Sequence, residues 1–402
     1  MKSIEKLMRK MEPDHDGKWA KFHPLWDGFY TFLFTPGETT KTGAHIRDGI
    51  DLKRTMFMVV LALIPCLLFG IYNTGHWHYY LEDPSIGYMD MFWPKVGYGL
   101  YKVLPLVIVS YAVGLGAEFV FAIKNQHAIQ EGYLVSGMLI PLIVPADTPL
   151  WMVGVAVVFA VVLGKEVFGG TGMNIINVAL TARAFLFFGY PTMMSGDKVW
   201  MSGLSEVDKL PEGVTGATQL GELATFTFDK SEWAYESISA FEKAWPLKES
   251  LIGMIPGSVG ETSVIAILLG AGLLLYTRIA SWRIMISFVL GGLAVGFLAN
   301  TFAVNPYMEL TPLNHLLIGG FLFGAVFMIT DPVTASQTPT GKYIYGFLGG
   351  ALSITIRVFN GAYPEGVMMA ILFMNVMAPL IDHYVLQANI NRRKKRLKIK
   401  SA

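Results

Sequence analysis

Tyr133-Leu134-Val135-Ser136-Gly137-Met138-Leu139-Ile140-Pro141-Leu142-Ile143-Val144-Pro145 is apolar, interrupted by proline and too short to cross a bilayer, and its reading decides how the rest of the chain is counted. A spanning helix needs roughly 20 mostly apolar residues. Runs of that kind begin near Met56, Val103, Trp151, Ile175, Thr262, Ile284, His315, Tyr343 and Val367. The 133–145 segment reads as a broken or half-length helix buried among them, because irregular backbone at membrane depth survives only inside protein or beside a cavity. Counting it raises nine spans to ten, and an even number returns both termini to one side. Composition agrees: of 402 residues, 53% are hydrophobic and only 15% charged, too apolar for an ordinary soluble protein of this size. The expected fold is therefore an all-α polytopic membrane protein of about ten transmembrane helices.

Charge placement tests the count, since Lys and Arg concentrate on the cytoplasmic side. Lys41, Arg47, Lys53 and Arg54 precede the first span, and Arg392, Arg393, Lys394, Lys395 and Arg396 follow the last. Lys124, Lys165, Arg278 with Arg283, and Lys342 fall in the connections that ten spans place on the same side. The expected divisions are a cytoplasmic N-terminal region (1–54), a first transmembrane half (55–190), a periplasmic loop (191–260), a second half (261–386) and a basic cytoplasmic tail (387–402). The formal net charge of +1 argues against a nucleic-acid partner. The first 50 residues lack the pattern of a signal peptide, so the N-terminus is expected to stay in the cytoplasm. The single cysteine, Cys66, excludes an internal disulfide.

The two halves echo one another. Lys165-Glu166-Val167-Phe168-Gly169-Gly170 leads into a helix expected near Asn174, and Ile356-Arg357-Val358-Phe359-Asn360-Gly361 leads into one expected near Glu365. Five spans per half make such repeats inverted, an arrangement that sets a binding or conduction path between interrupted helices. Ionisable groups inside spans are expensive and so are functional candidates. These are Glu118, Asp331 and Asp382, the last two close enough to span ends to serve also as ordinary helix-end groups. With backbone carbonyls, such carboxylates suit a hard cation such as Na⁺, or a proton relay. Arg183 and Arg357 are the basic counterparts, expected to pair within the bundle or to meet a flavin or quinone headgroup. Gly169-Gly170-Thr171-Gly172 is a candidate anion nest at a helix start, and Asn177 a candidate cap. His76, Trp77, His78, Tyr79 and Tyr80 read as an interfacial aromatic belt. His76 and His78 have no third ligand nearby, so no metal site is expected.

Thr215-Gly216-Ala217-Thr218 lies in the long polar loop. Gly216 and Ala217 remove bulk beside Thr218, leaving its hydroxyl open to a large phosphorylated group; an ordinary surface turn has the same composition.

The chain resembles the NqrB subunits of the Na⁺-translocating NADH:quinone oxidoreductases and, more distantly, the RnfD subunits of the Rnf electron-transport complexes. The likeness spans nearly the whole chain: His45-Ile46-Arg47-Asp48, Asp51-Leu52-Lys53-Arg54, KEVFGGTGMN, RAFLFFGYP, the TGAT loop, IPGSVGE, ASWRI, TDPVTAS, AYPEG and APLIDH. The longer N-terminal region with DLKR favours the quinone reductase over Rnf. The resemblance implies FMN joined through its phosphate to Thr218 by a separate flavin transferase, and a noncovalent riboflavin. It also implies a quinone site involving the cytoplasmic region, Na⁺ as transported ion with Glu118, Asp331 and Asp382 in its handling, and assembly into a six-subunit complex. NADH oxidation falls to another member of that complex. Two positions depart from the family pattern: Glu212 stands where an aspartate is common, and Val178 where a proline commonly follows Asn177. A flavin-free solute channel, for which five-plus-five inverted halves are equally suited, is the rival from a different class.

Overall fold

The computed structural model describes residues 52–125, 132–204, 216–225, 245–361 and 365–400, with Phe241, Tyr363 and isolated positions between 8 and 44. Lys41, the His45–Asp48 and Asp51 entry, Glu212 and Thr215 lie outside the described residues.

The described chain is helical. In order come α1 (Leu52–Glu82), α2 (Phe92–Asn125), α3 (Tyr133–Leu142), α4 (Leu150–Gly164), α5 (Val178–Gly189), α6 (Gln219–Thr225), α7 (Val264–Tyr276), α8 (Trp282–Thr301), α9 (Pro312–Leu317), α10 (Phe321–Phe323, running into a π-helical turn at Gly324–Met328), α11 (Pro339–Phe359) and α12 (Val367–Lys400). Among the described residues, five helices are long and apolar enough to cross a membrane: those within 53–82, 92–125, 150–168, 282–301 and 367–396. Three shorter apolar helices, 133–142, 178–189 and 264–276, sit among them.

The proline-bearing 133–145 segment is a half-length helix, as expected: α3 ends at Leu142 just after Pro141. The run beginning near His315 is corrected. It is not one helix but two short ones, because Gly319 and Gly320 both adopt left-handed backbone (φ +66° and +67°), which only glycine enters cheaply, and the chain turns there. The helix expected near Asn174 is also corrected, starting at Val178 where the Asn177 side chain accepts from Leu180 N–H at 3.2 Å. Helix α5 therefore begins without the proline common at its first position. The glycine run 169–172 lies in the preceding loop with Gly169, Gly170 and Gly172 left-handed, so it is not a nest at a helix start.

Helices α1 and α2, of 31 and 34 residues, extend about 46 and 51 Å at 1.5 Å per residue, beyond the ~30 Å hydrocarbon layer. Their far ends make the aromatic segment something other than a lipid-facing belt. Trp77 and Leu81 bury against Met201 and Leu204, and the His78 ring stacks on Tyr98 with centroids 3.6 Å apart. Asp147, beyond α3, ties this layer down: it pairs with Lys102 at 2.9 Å and accepts from Ser202 Oγ at 2.8 Å and Gly203 N–H at 2.7 Å.

Packing repeats between the halves. Helix α2 packs on α4, α4 on α5, and the short α3 against α2; later α8 packs on α11, α11 on α12, and the short α9 against α8. The halves meet where α7 lies on α1 and α12 on α5. The α8–α11 seam is built from glycine, in keeping with helix association where hydrophobicity offers little drive between helices. A Cβ at Gly291 would strike the Phe347 carbonyl, and one at Gly350 the Phe288 carbonyl. Gly350→Leu should push this seam apart and cost roughly 1–3 kcal/mol or more; thermal unfolding of the detergent-purified protein measures the loss, with Leu348→Ala on the exposed face of α11 as control.

Candidate functional site

Thr218 starts a short helix and is itself its cap. The Gly221 N–H donates to Thr218 Oγ1 at 3.1 Å, and the Thr218 carbonyl accepts from Glu222 N–H at 2.8 Å. The residue is half-buried, so its hydroxyl is held in place yet reachable. Gly216 is small for a reason that the sequence does not reveal: a Cβ there would run into the Asp197 carbonyl and the Leu204 side chain. Helix α6 is docked onto the second half by Tyr307 OH, which donates to the Leu220 carbonyl at 2.9 Å, and held within its own loop by Gln219 Nε2, which donates to Ser250 Oγ at 2.9 Å. Trp245 Nε1 adds a bond to Glu222 at 2.5 Å.

Beside Thr218 opens a cleft with about 410 Å³ of empty space, partly open to solvent, whose lining includes Trp200, Gln219, Ser258, Glu261, Gly320 and Glu365. Arg183, on α5, is 5% exposed and lies beneath it, donating from Nη1 to Glu261 Oε1 at 2.7 Å and from Nη2 to Glu365 Oε2. Arg357, on α11, is fully buried and turns to backbone instead, donating to the carbonyls of His315 at 2.5 Å and Ile318 at 3.1 Å. A guanidinium suits this position because the break after α9 leaves carbonyls that no helix satisfies. The expected pairing of Arg183 within the bundle is thus realised; neither arginine lines the cleft beside Thr218, and the carboxylates do. Sequence alone does not single out Glu261 and Glu365, because each lies in a Gly/Pro-rich loop outside a span. The signal that could have found them is their position directly before α7 and α12, within reach of an intramembrane arginine.

The other acids have settled partners. Glu118 on α2 forms a buried ion pair with Lys165 at the end of α4. Asp331 closes a turn, accepting from Val333 N–H and Thr334 Oγ1, both at 3.1 Å. Asp382 on α12 holds the start of α11, accepting from Ser336 Oγ and Gln337 N–H at 2.7 Å and from Thr338 N–H at 3.0 Å.

A second, larger cavity, with about 820 Å³ of empty space, opens between the halves. Thr55, Ser136, Lys165, Asn174, Asn177 and Asp331 supply much of its polar lining, and Leu139, Leu274 and Phe327 part of the apolar remainder. It lies at the opposite end of α1 from the Thr218 cleft. Thr55 lines the cavity, whereas Asn73, eighteen residues on, donates to the carbonyl of cleft residue Ile255 at 3.0 Å. That separation is about 27 Å along the helix.

The helices and their buried charges define a multi-pass membrane protein, with the two cavities described above at opposite ends of α1. The chain belongs to the NQR2, RnfD, RnfE family, which it matches over residues 39–391. It is similar to the NqrB protein of the Na⁺-translocating NADH-quinone reductase of Chromohalobacter salexigens, at 44% identity over 98% of this chain and 96% of that protein. The proteins of the same description from Pseudomonas aeruginosa (strain LESB58) and Klebsiella pneumoniae (strain 342) are 42% and 40% identical, over 97% and 98% of this chain and 98% and 99% of theirs.

Removing one partner of a buried ion pair leaves an uncompensated charge, typically at a cost of about 3–5 kcal/mol, whereas removing both is far milder. Glu118→Gln should therefore destabilise the protein strongly and Glu118→Gln/Lys165→Met should regain most of the loss, as read by thermal unfolding in detergent.

Proposed function

We propose that this chain is the NqrB component of a Na⁺-translocating NADH-quinone reductase, a membrane redox protein that helps couple electron flow toward quinone to Na⁺ export. The near full-length similarity to proteins of that description carries the reading. NADH oxidation belongs to another member of a complex of six, since the chain has no dinucleotide fingerprint.

The attachment point of covalent FMN in this reading is Thr218. The residues present fit such a group. The hydroxyl is fixed by the Gly221 N–H through its acceptor side, so its proton can leave on esterification without loss of that bond. The cleft beside it offers Trp200, Ile255 and the glycine backbone of 319–320 to a flat ring system. Bound there, FMN supplies one- and two-electron chemistry. The protein's part is to hold the attached threonine at the mouth of the cleft through α6 and to keep two carboxylates at its floor. A separate flavin transferase makes the ester. The larger cavity, mostly apolar with a few convergent amides and hydroxyls, is our candidate for the noncovalent riboflavin. Asp331, which lines it, is our candidate for Na⁺ handling there. In this reading Glu118 acts through Lys165, and Asp382 through the fixed start of α11.

The recurring packing order supports two five-helix repeats, inverted, with ten membrane passes in which the short helices act as half-spans. Lys53 and Arg54 lie near Thr277 at the end that holds the larger cavity, and Lys165 is there too. By the positive-inside rule that end is cytoplasmic, which sets Thr218 on the periplasmic side of a bacterial inner membrane. A passive solute channel of the same architecture has no use for the Thr218 hydroxyl.

Mass spectrometry of the tryptic peptide Leu210–Lys230, from protein made with its transferase, should show an FMN adduct on Thr218. Thr218→Val should abolish both the adduct and the flavin fluorescence of the denatured band. An unmodified peptide from fully active material would contradict covalent flavin.

A further inference from the structure

Thr218 is reachable, but the residues on either side of it are not. Gly216, Ala217, Gln219 and Leu220 are all buried, the last three at 4% exposure or less. Gly216 lies tight against the Asp197 carbonyl and the Leu204 side chain. Gln219 donates to Ser250 within the loop, and the Leu220 carbonyl accepts from the hydroxyl of Tyr307, itself buried. The Leu220 side chain rests on the left-handed turn at Gly319, where a Cβ would come within 2.3 Å of its Cδ1, and Leu223 packs in the main core. The small residues at 216 and 217 thus fit the segment to its seat.

An enzyme that modifies a side chain within a polypeptide grips the backbone and the alternate side chains around it, most simply as an extended strand. On the docked segment that grip would fall on buried atoms. Helix α6 has only seven residues, too few to hold a helix together in water, so it melts once lifted from its seat. Lifting it exposes Leu220 and Leu223, and the free energy of burying two leucines keeps the lifted form at on the order of one molecule in 10² to 10⁴.

We propose that the flavin transferase takes this segment only while α6 is lifted, so that flavin attachment precedes docking and docking then closes the segment to the transferase. The inference rests on Thr218 as the attachment point. FMN alone would have to expel hydroxide from its phosphate, so the donor is a flavin dinucleotide, FAD. Thr218 Oγ1 bonds to the flavin-side phosphorus, the P–O bond of the pyrophosphate breaks, AMP leaves with that electron pair, and the hydroxyl proton passes to a base of the transferase. When α6 re-forms, the ester oxygen still accepts from the Gly221 N–H and sets the attached group at the mouth of the cleft.

The test uses complex made without the transferase, then purified and incubated with transferase and FAD, the adduct on peptide Leu210–Lys230 being followed in time by mass spectrometry. Tyr307→Phe and Ser250→Ala each remove one bond that seats the segment, and neither lies next to the acceptor. Tyr111→Phe removes a comparable bond from a tyrosine hydroxyl to a carbonyl, that of Leu134 at 2.7 Å, and serves as control. At low transferase the rate follows the lifted fraction, so Tyr307→Phe and Ser250→Ala should each raise it by about 2- to 10-fold, the worth of one hydrogen bond, with Tyr111→Phe unchanged. All four proteins should carry full flavin when the transferase is present during synthesis. A rate unchanged in both seat variants, or raised equally by Tyr111→Phe, overturns the proposal. No adduct in any protein, even with the transferase present during synthesis, overturns the Thr218 reading and the order of events with it.

Discussion

Everything near the Thr218 end of this molecule depends on one guanidinium. Arg183 is buried on α5 in the first half, yet its two carboxylate partners come from the loops before α7 and α12 in the second. An unpaired arginine at that depth would be among the most expensive groups in the chain, so the two loops are drawn together over it. Their convergence, with the left-handed turn at Gly319-Gly320, makes the floor of the cleft that Thr218 overhangs. The same pairing links the halves, which also meet where α7 lies on α1 and α12 on α5, and where Asn177 Nδ2 donates to the Met328 carbonyl.

Arg357 solves a different problem in the same region. The break between α9 and α10 leaves backbone carbonyls without helical partners in an apolar interior, where no water is at hand. Its planar fork satisfies them. The two arginines look alike in the sequence, both lying within apolar runs, but one binds side-chain carboxylates and the other binds main chain. What separates them is tertiary: which loop the fold happens to bring opposite.

The gross architecture was legible for the same reason that membrane proteins are constrained. Apolar length and a proline at 141 sufficed to identify α3 as a half-length helix, whereas α5 was expected near Asn174 and starts four residues later, although Asn177 was a candidate cap. The break at Gly319-Gly320 was not legible, since an apolar stretch around two glycines reads equally well as a continuous span. The aromatic residues at 76–80 misled because interfacial enrichment and ordinary packing select the same side chains. The approach of Met201 and Leu204 shows that Trp77, with Tyr80 beside it, packs on protein. At the site, Thr218 could be singled out from its neighbours and its family pattern. Glu261 and Glu365 could not, because a glutamate in a loop looks solvated until its counter-ion is known. Glu118 was visible as an intramembrane acid, but its partner Lys165 was counted among the connections between spans.

The two cavities give the chain a direction. One lies at the basic end against Lys165 and Asp331, the other under Thr218 against Glu261 and Glu365, and α1 runs from the first to the second. The pairing across Arg183 lies under the second of them, where loops of the second half close over α5. The most direct test of this account is a side-chain-resolved density map of the intact, flavinylated complex, read at two places. The account predicts continuous density leaving Thr218 Oγ1 above a floor in which Arg183 bridges Glu261 and Glu365. A bare Thr218 hydroxyl, or an Arg183 turned away from both glutamates, would contradict it.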